Sequence, residues 1–250
     1  MDQTTLARLH QTNPWLFNGR GGTKELTRKQ PPRWIPRLQL DTGLLSSAKR
    51  AHLVVGPRQA GKSSVVWSWL RTLARPLYLN MEEATLRAFC ASPAQFLFDL
   101  PELGPTPDAI FLEEAQWLDN AALFVKGLVD ARLPIPVVVT GSSSFHLLDR
   151  MRESLAGRAT RHVLLPFSLE EVAPATQAAS QAALFLTRRK ALGRMLIVGG
   201  YPEAWLSTNP AVVLGDLVQA TVLGDASDRL KVDRLDAYQK LLELCARQVG

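Results

Sequence analysis

The chain is poor in cysteine, with only Cys90 and Cys245 in 250 residues. The two lie far apart and lack metal-ligand spacing. That excludes a disulfide scaffold and a zinc cluster, and reads as free thiols of a reducing compartment. No apolar run approaches the roughly 18 residues of a membrane span, so no membrane partner is expected. The opening MDQTTLARLHQTNPWLF lacks the basic start and continuous apolar stretch of a secretory signal, which makes the cytoplasm the expected location. There is no internal repeat, no low-complexity tract, and no aromatic-interleaved basic pattern of an RNA-binding sheet. What remains is an ordinary folded composition, 46% hydrophobic and 21% charged, in a chain long enough to bury a sizeable core.

Acidic residues are scarce in one part of the chain. Residues 1–75 carry 13 Lys and Arg against 3 Asp and Glu, a net of +10, and the remaining 175 carry a net of −4. A basic N-terminal third can attract an anionic partner such as nucleic acid. It can equally be a solvated arm with some charges serving a bound phosphate.

Regular patterning begins near residue 46. Short apolar runs recur at HLVV (52–55), PLYLN (76–80), AIFL (109–112), PVVVT (136–140) and RHVLL (161–165). Each is apolar on both faces, as in a parallel sheet covered on both sides. Helical stretches lie between them, one of them SPAQFLFDL with Ser92 as N-cap and Pro93 at the first helical position. The expected fold is therefore α/β, with a five-stranded parallel sheet over 46–167. Residues 1–45 read as a basic lead-in with a short helix near Thr4–His10, and 168–235 as a smaller, mostly helical region.

The chemistry concentrates at Gly56-Pro57-Arg58-Gln59-Ala60-Gly61-Lys62-Ser63, followed by Ser64, which fits the P-loop pattern between a strand and a helix. Glycines let backbone N–H groups approach phosphates closely, Lys62 reaches the β- and γ-phosphates, and the Ser63 hydroxyl ligates Mg²⁺. The helix starting there adds its positive N-terminal end. The expected ligands are ATP and Mg²⁺. The second element is AIFLEEAQWLD (109–119), a buried strand ending in two acids. In a Walker B segment the first, Glu113, holds the metal and the second, Glu114, polarises the attacking water. Beyond the next strand, Thr140 and Ser142 (within a Thr140–Ser143 hydroxyl cluster) are candidates to sense the γ-phosphate, or else cap the following helix. Arg158 and Arg161 follow. Arg158 is the candidate to stabilise transition-state charge, in its own subunit or a neighbour's, and a plain ion pair is the alternative.

Together GPRQAGKSS, YLNMEE (78–83), IFLEEAQ (111–116), TGSSS (140–144), ESLAGR (153–158), LPFSLEE (165–171) and GGYPE (199–203) resemble a bacterial and archaeal family of AAA-plus-type ATPases, over roughly residues 35 to 245. In that family a C-terminal domain of unknown function follows the ATPase. The resemblance implies an additional-strand, RecA-like P-loop core, a helical lid over 168–235, and the start of a winged-helix domain at 236–250. It also implies a chain that stops inside that domain, at Gly250. The family usually places Asp-Glu where this chain has Glu113-Glu114. A longer metal ligand at that point implies slow hydrolysis.

Two functions are expected from these residues. The first is a Mg²⁺-dependent ATP-hydrolysing switch, with GGYPEAW as a joint that feels the nucleotide. The second is a nucleotide-responsive, DNA-associated regulator with little hydrolysis, contacting nucleic acid through the basic N-terminal region or the C-terminal domain. A homo-oligomer is the assembly in which Arg158 would act in trans. A small-molecule kinase is disfavoured, since no substrate-side arginine lid stands apart from TRRK (187–190).

Overall fold

A computed structural model of the chain describes residues 1–17, 23–29, 33–142, 155–174, 180–219, 232 and 234–248. It divides into two compact units, Met1–Pro174 and Ala175–Gly250.

The first unit is built on five parallel strands, β1 (Ala51–Gly56), β2 (Pro76–Asn80), β3 (Ala109–Glu113), β4 (Val137–Ser142) and β5 (Ala159–Val163). They lie side by side in the order β2-β3-β4-β1-β5. All six residues of β1 are buried, as are the first four of β2 and of β3. Such two-faced burial is what the continuous apolar runs require. β5 differs: it is an edge strand, only half-buried or exposed along its length. The apolarity of RHVLL belongs partly to Leu164, which is fully buried just past the strand end.

Register decides what the sheet presents at its rim. Leu53 pairs with Val139, and Val139 with Leu112, so these three form one row across β1, β4 and β3. One residue further, Val54 pairs with Thr140, while the β3–β4 pairing ends at Leu112 and Glu113 is the last residue of β3. The carboxyl ends of the parallel strands β1, β3 and β4 therefore lie at one rim, with β1 and β4 running on past β3 to the Gly56–Ser142 pair.

One face of the sheet is filled by an aromatic cluster. The Trp67 ring lies 4.8 Å from that of Tyr78 and 5.9 Å from that of Phe111, with Trp15 edge-on at 5.7 Å. Full burial of a side chain the size of Phe111 stabilises the fold by about 1.5–3 kcal/mol.

The N-terminal lead-in is part of this unit. Helices α1 (Gln3–Thr12), α2 (Pro14–Phe17) and α3 (Thr23–Arg28) deliver Leu9, Trp15, Leu16 and Leu26 into the main core. They also close the edge of β2. The Asn13 side chain donates from Nδ2 to the Tyr78 carbonyl at 3.0 Å, and its Oδ1 accepts the Tyr78 N–H at 2.6 Å. The Trp15 indole N–H donates to the Pro76 carbonyl at 2.7 Å. An edge strand must have its outward backbone groups covered or wet, and here side chains act as the missing neighbour.

Among the described residues of the second unit the helices are α9 (Gln181–Val198), α10 (Pro202–Leu206), α11 (Pro210–Leu217) and α12 (Leu235–Gln248), preceded in the first unit by α8 (Leu169–Val172). Among the described residues the first unit also holds α4 (Lys62–Leu70), α5 (Ala84–Phe89), α6 (Pro93–Asp99) and α7 (Ala121–Asp130). No described residue of α12 is buried.

Candidate functional site

The loop between β1 and α4 turns on two backbone conformations. Gln59 sits at φ 55° and Gly61 at φ 91°, both left-handed. Gly61 precedes the first residue of α4. Successive N–H groups in such a turn face a common concavity that suits an anion, and the helix dipole adds to it. Gly56 has no room for a side chain, since a Cβ there would lie 1.9 Å from the Leu164 carbonyl oxygen. The loop after β5 is thus pressed directly against the glycine that opens the turn, and the Leu164 N–H donates to the Val55 carbonyl at 2.8 Å.

Lys62 is buried, with 6% of its surface exposed. Its ammonium donates to the Gly56 carbonyl at 3.1 Å and the Pro57 carbonyl at 2.9 Å. The side chain therefore folds back across the loop and lays its charge at the mouth of the turn. Ala60 is buried, Gln59 is exposed, and Pro57, Arg58, Ser63 and Ser64 are half-buried around it.

The acids stand on the same rim, with β4 between them and the loop. Neighbouring strands are about 4.8 Å apart, so β3 and β1 are separated by roughly 10 Å across the sheet. Glu113 ends β3, and its carboxylate accepts a hydrogen bond from the Tyr78 hydroxyl on β2. Burial, and then the negative charge of Glu113, push the Tyr78 phenol far above its ordinary range, so it stays protonated and donates. Glu114 is left-handed at φ 53°, a conformation that costs a non-glycine residue on the order of 1–2 kcal/mol. Its N–H donates to the Thr140 hydroxyl at 3.4 Å, and its carboxylate accepts from the Gln116 side-chain amide. The turn thus aims the second acid away from the line of the strand. Tyr78 and Gln116 were not among the sequence candidates. The adjacency of β2 to β3 is the only signal that could have found Tyr78.

Thr140 is fully buried, and its hydroxyl meets the Glu114 amide. Ser142 ends β4 opposite Gly56. Ser143 and Ser144 lie outside the described residues.

Arg158 stands elsewhere. It immediately precedes β5, whose first residue Ala159 pairs with Ala51, the first residue of β1. The loop begins five residues further on, roughly 16 Å along the strand. The structure does not bring Arg158 to its own chain's loop. Its Nε–H donates to Asp130 Oδ1 at 2.6 Å at the opposite rim, and the guanidinium holds the Asp130 carboxyl below its usual range. Arg161, within β5, is exposed.

Several charges of the basic N-terminal third are engaged internally. Arg8 pairs with Glu83, Lys29 lies 5.4 Å over both the Trp67 and Tyr78 rings, and Arg37 pairs with Glu171. Both cysteines are free, and burial pushes the Cys90 thiol strongly up. Among the described residues no helix is long and apolar enough to cross a membrane.

Comparison with known proteins gives a family match. The model of a family described as an AAA domain matches residues 48–173, which contain the loop, both acids and all five strands. Among solved structures, one similar chain is that of C. elegans PCH-2, with 14% sequence identity and a TM-score of 0.36. That match covers 75% of this chain and 48% of the other, so this chain spans about half the length of that protein. A search of curated proteins returned no match.

Proposed function

The chain belongs to the AAA domain family and is a nucleotide-binding module on a P-loop core, and from that premise we propose that it is a Mg²⁺-dependent ATPase acting as a molecular switch in the cytoplasm. The observation that carries the proposal is the parallel register of the sheet, which brings the carboxyl ends of β1, β4 and β3 to one rim, so that loop, hydroxyl and acids lie on the same side. In this reading Gly56 to Ser64 receive the phosphates and Lys62 leaves its two loop carbonyls to pair with phosphate oxygens. Glu114, held by Gln116, orients and deprotonates the attacking water. Thr140 fixes the turn that carries Glu114, and Ser142 is the residue nearest the γ-phosphate side of β4.

The donors fit a hard cation. Ser63 offers a hydroxyl and Glu113 a carboxylate, and Mg²⁺ is ordinarily held by one or two such groups together with substrate phosphates. When bound, the ion would neutralise charge between the β- and γ-phosphates. Glu113 is longer than the usual Asp, and the Tyr78 hydroxyl fixes the carboxylate that the extra methylene would otherwise leave loose. Tyr78→Phe is therefore expected to raise the Mg²⁺ concentration needed for half-maximal ATP binding by about tenfold, since partners of metal ligands matter on that scale. A Mg²⁺ titration with a fluorescent ATP analogue measures this. An unchanged midpoint removes Tyr78 from the metal site.

Calorimetry and phosphate release test the whole reading. ATP should bind saturably, and phosphate release should stop when EDTA removes the metal. Absence of ATP binding in both conditions defeats the proposal. Repeating the rate over a range of protein concentrations tests Arg158, which from the far rim can serve only a neighbouring copy's nucleotide. A rate per chain that rises with concentration supports that role.

A nucleic-acid partner has less support, because Arg8, Lys29, Arg37 and Lys62 are turned to internal use. The winged-helix reading of 236–250 rests on the sequence resemblance.

A further inference from the structure

The Arg37 guanidinium is almost wholly buried, with 1% of its side chain exposed, in a segment that carries no nucleotide-binding motif. It makes three contacts in three directions. Nε–H donates to Glu171 Oε1 at 3.1 Å, one terminal N–H to the Ala60 carbonyl at 2.6 Å, and the other to the Leu165 carbonyl. Its flat face lies 4.9 Å from the centre of the Phe167 ring. Glu171 is fully buried as well, and its two oxygens also accept the Leu38 N–H and the Ser168 N–H, each at 2.8 Å. Gln39 ties the same loop from beside it, donating to the Pro166 carbonyl at 3.0 Å and accepting the Leu165 N–H at 2.7 Å.

Ala60 belongs to the phosphate loop, so this cluster grips that loop from behind. A trans peptide is planar, and its C=O and the following N–H point in opposite directions. Fixing the Ala60 carbonyl on Arg37 therefore fixes the Gly61 N–H on the other side of the loop, facing away from the guanidinium. Gly61 at φ 91° could otherwise allow that plane to turn, because glycine is the residue with the lowest barrier to such a change. A buried ion pair is weak evidence of stability for its own sake, and its better-attested use is to select one arrangement among several.

We propose that Arg37 is a positioning residue of the nucleotide site, holding the Ala60–Gly61 peptide plane, with Glu171 as its counter-ion, so that the Gly61 N–H is presented to the β-phosphate, which AMP lacks. This rests on the nucleotide-binding reading given above. The planar fork is essential to it, since a lysine has the charge but cannot reach three partners lying in three directions.

The test compares ADP and AMP binding by competition against a fluorescent ADP analogue, in the parent chain, in the double variant R37M/E171Q, and in R37K. The double variant removes the guanidinium without leaving a bare buried carboxylate. ADP affinity is expected to fall by about tenfold or more, the scale of one lost contact to a charged group, while AMP affinity changes by less than about twofold. R37K should show the same selective loss, and it carries the test alone if the double variant does not fold. Equal loss for both nucleotides would mean a general structural role and overturns the proposal. Parent-like ADP affinity in either variant also overturns it, and in R37K shows that charge alone suffices. A parent chain that binds neither nucleotide overturns this inference together with the reading beneath it.

Discussion

Replacing Lys62 with alanine is expected to abolish nucleotide binding, lowering ADP and ATP affinity by at least about a hundredfold. The ammonium is a charged donor delivered to the mouth of the loop, and a hydrogen bond to a charged group contributes about 1.5–3 kcal/mol. Two such contacts with phosphate oxygens account for a loss of that size or more. The cost to the empty protein includes the bonds to the Gly56 and Pro57 carbonyls at 3.1 and 2.9 Å, which the buried ammonium gives up. Thermal unfolding separates the two effects. A ligand present at a hundred times its dissociation constant stabilises a fold by about 2.7 kcal/mol. For a chain of this length that raises the melting temperature by roughly 5–10 °C. Lys62→Ala should lose that rise, measured from its own ligand-free melting temperature. A variant that keeps the parent's ADP-induced rise shows that phosphates are not held here.

The strands that were easiest to read are the ones buried on both faces. PLYLN coincides with β2 and AIFL with all but the last residue of β3, because β2, β3 and β4 form a covered run on one side of β1 and their apolarity is continuous. β5 was displaced by two residues toward the C-terminus. Its partner-free edge tolerates Thr160, Arg161 and His162, and the apolar signal comes instead from Leu164, which packs beside Gly56. The lead-in was harder still. Asn13 and Arg37 act on Tyr78 and Glu171, 65 and 134 residues away, through side-chain contacts that leave no periodic trace.

The same division runs through the site. The loop and the acid pair announced themselves, since each needs particular residue types at fixed spacing next to a strand end. Their supports did not. Gln116 lies two residues from Glu114 and looks like an ordinary polar turn residue until the left-handed backbone at Glu114 brings the two side chains together. Arg158 is the reverse case. The glycine turn before it suggested a charge aimed at phosphate, yet parallel pairing with β1 starts β5 at the far rim, and Asp130 at the end of α7 takes the guanidinium.

Glu114→Gln should separate binding from turnover. The substitution keeps size and shape, tolerates the backbone at φ 53° no worse than Glu, and leaves an oxygen that can still accept from the Gln116 amide. The Glu114 N–H bond to Thr140 involves only the main chain and survives. What is lost is the capacity to take a proton from water, and a positioned general base contributes about 10²–10⁴-fold to a rate. Phosphate release should therefore fall by that factor while ATP affinity stays within about twofold, because an amide still presents a polar group of the same reach. Single-turnover quench measurements with excess protein read the chemical step directly, free of product release. Turnover at the parent rate would remove Glu114 as the base, and the strained turn at the end of β3 would then need another explanation. A combined loss of binding and turnover would instead mean that the negative charge of Glu114 is itself needed to hold the site together, because charge is what the isosteric amide removes.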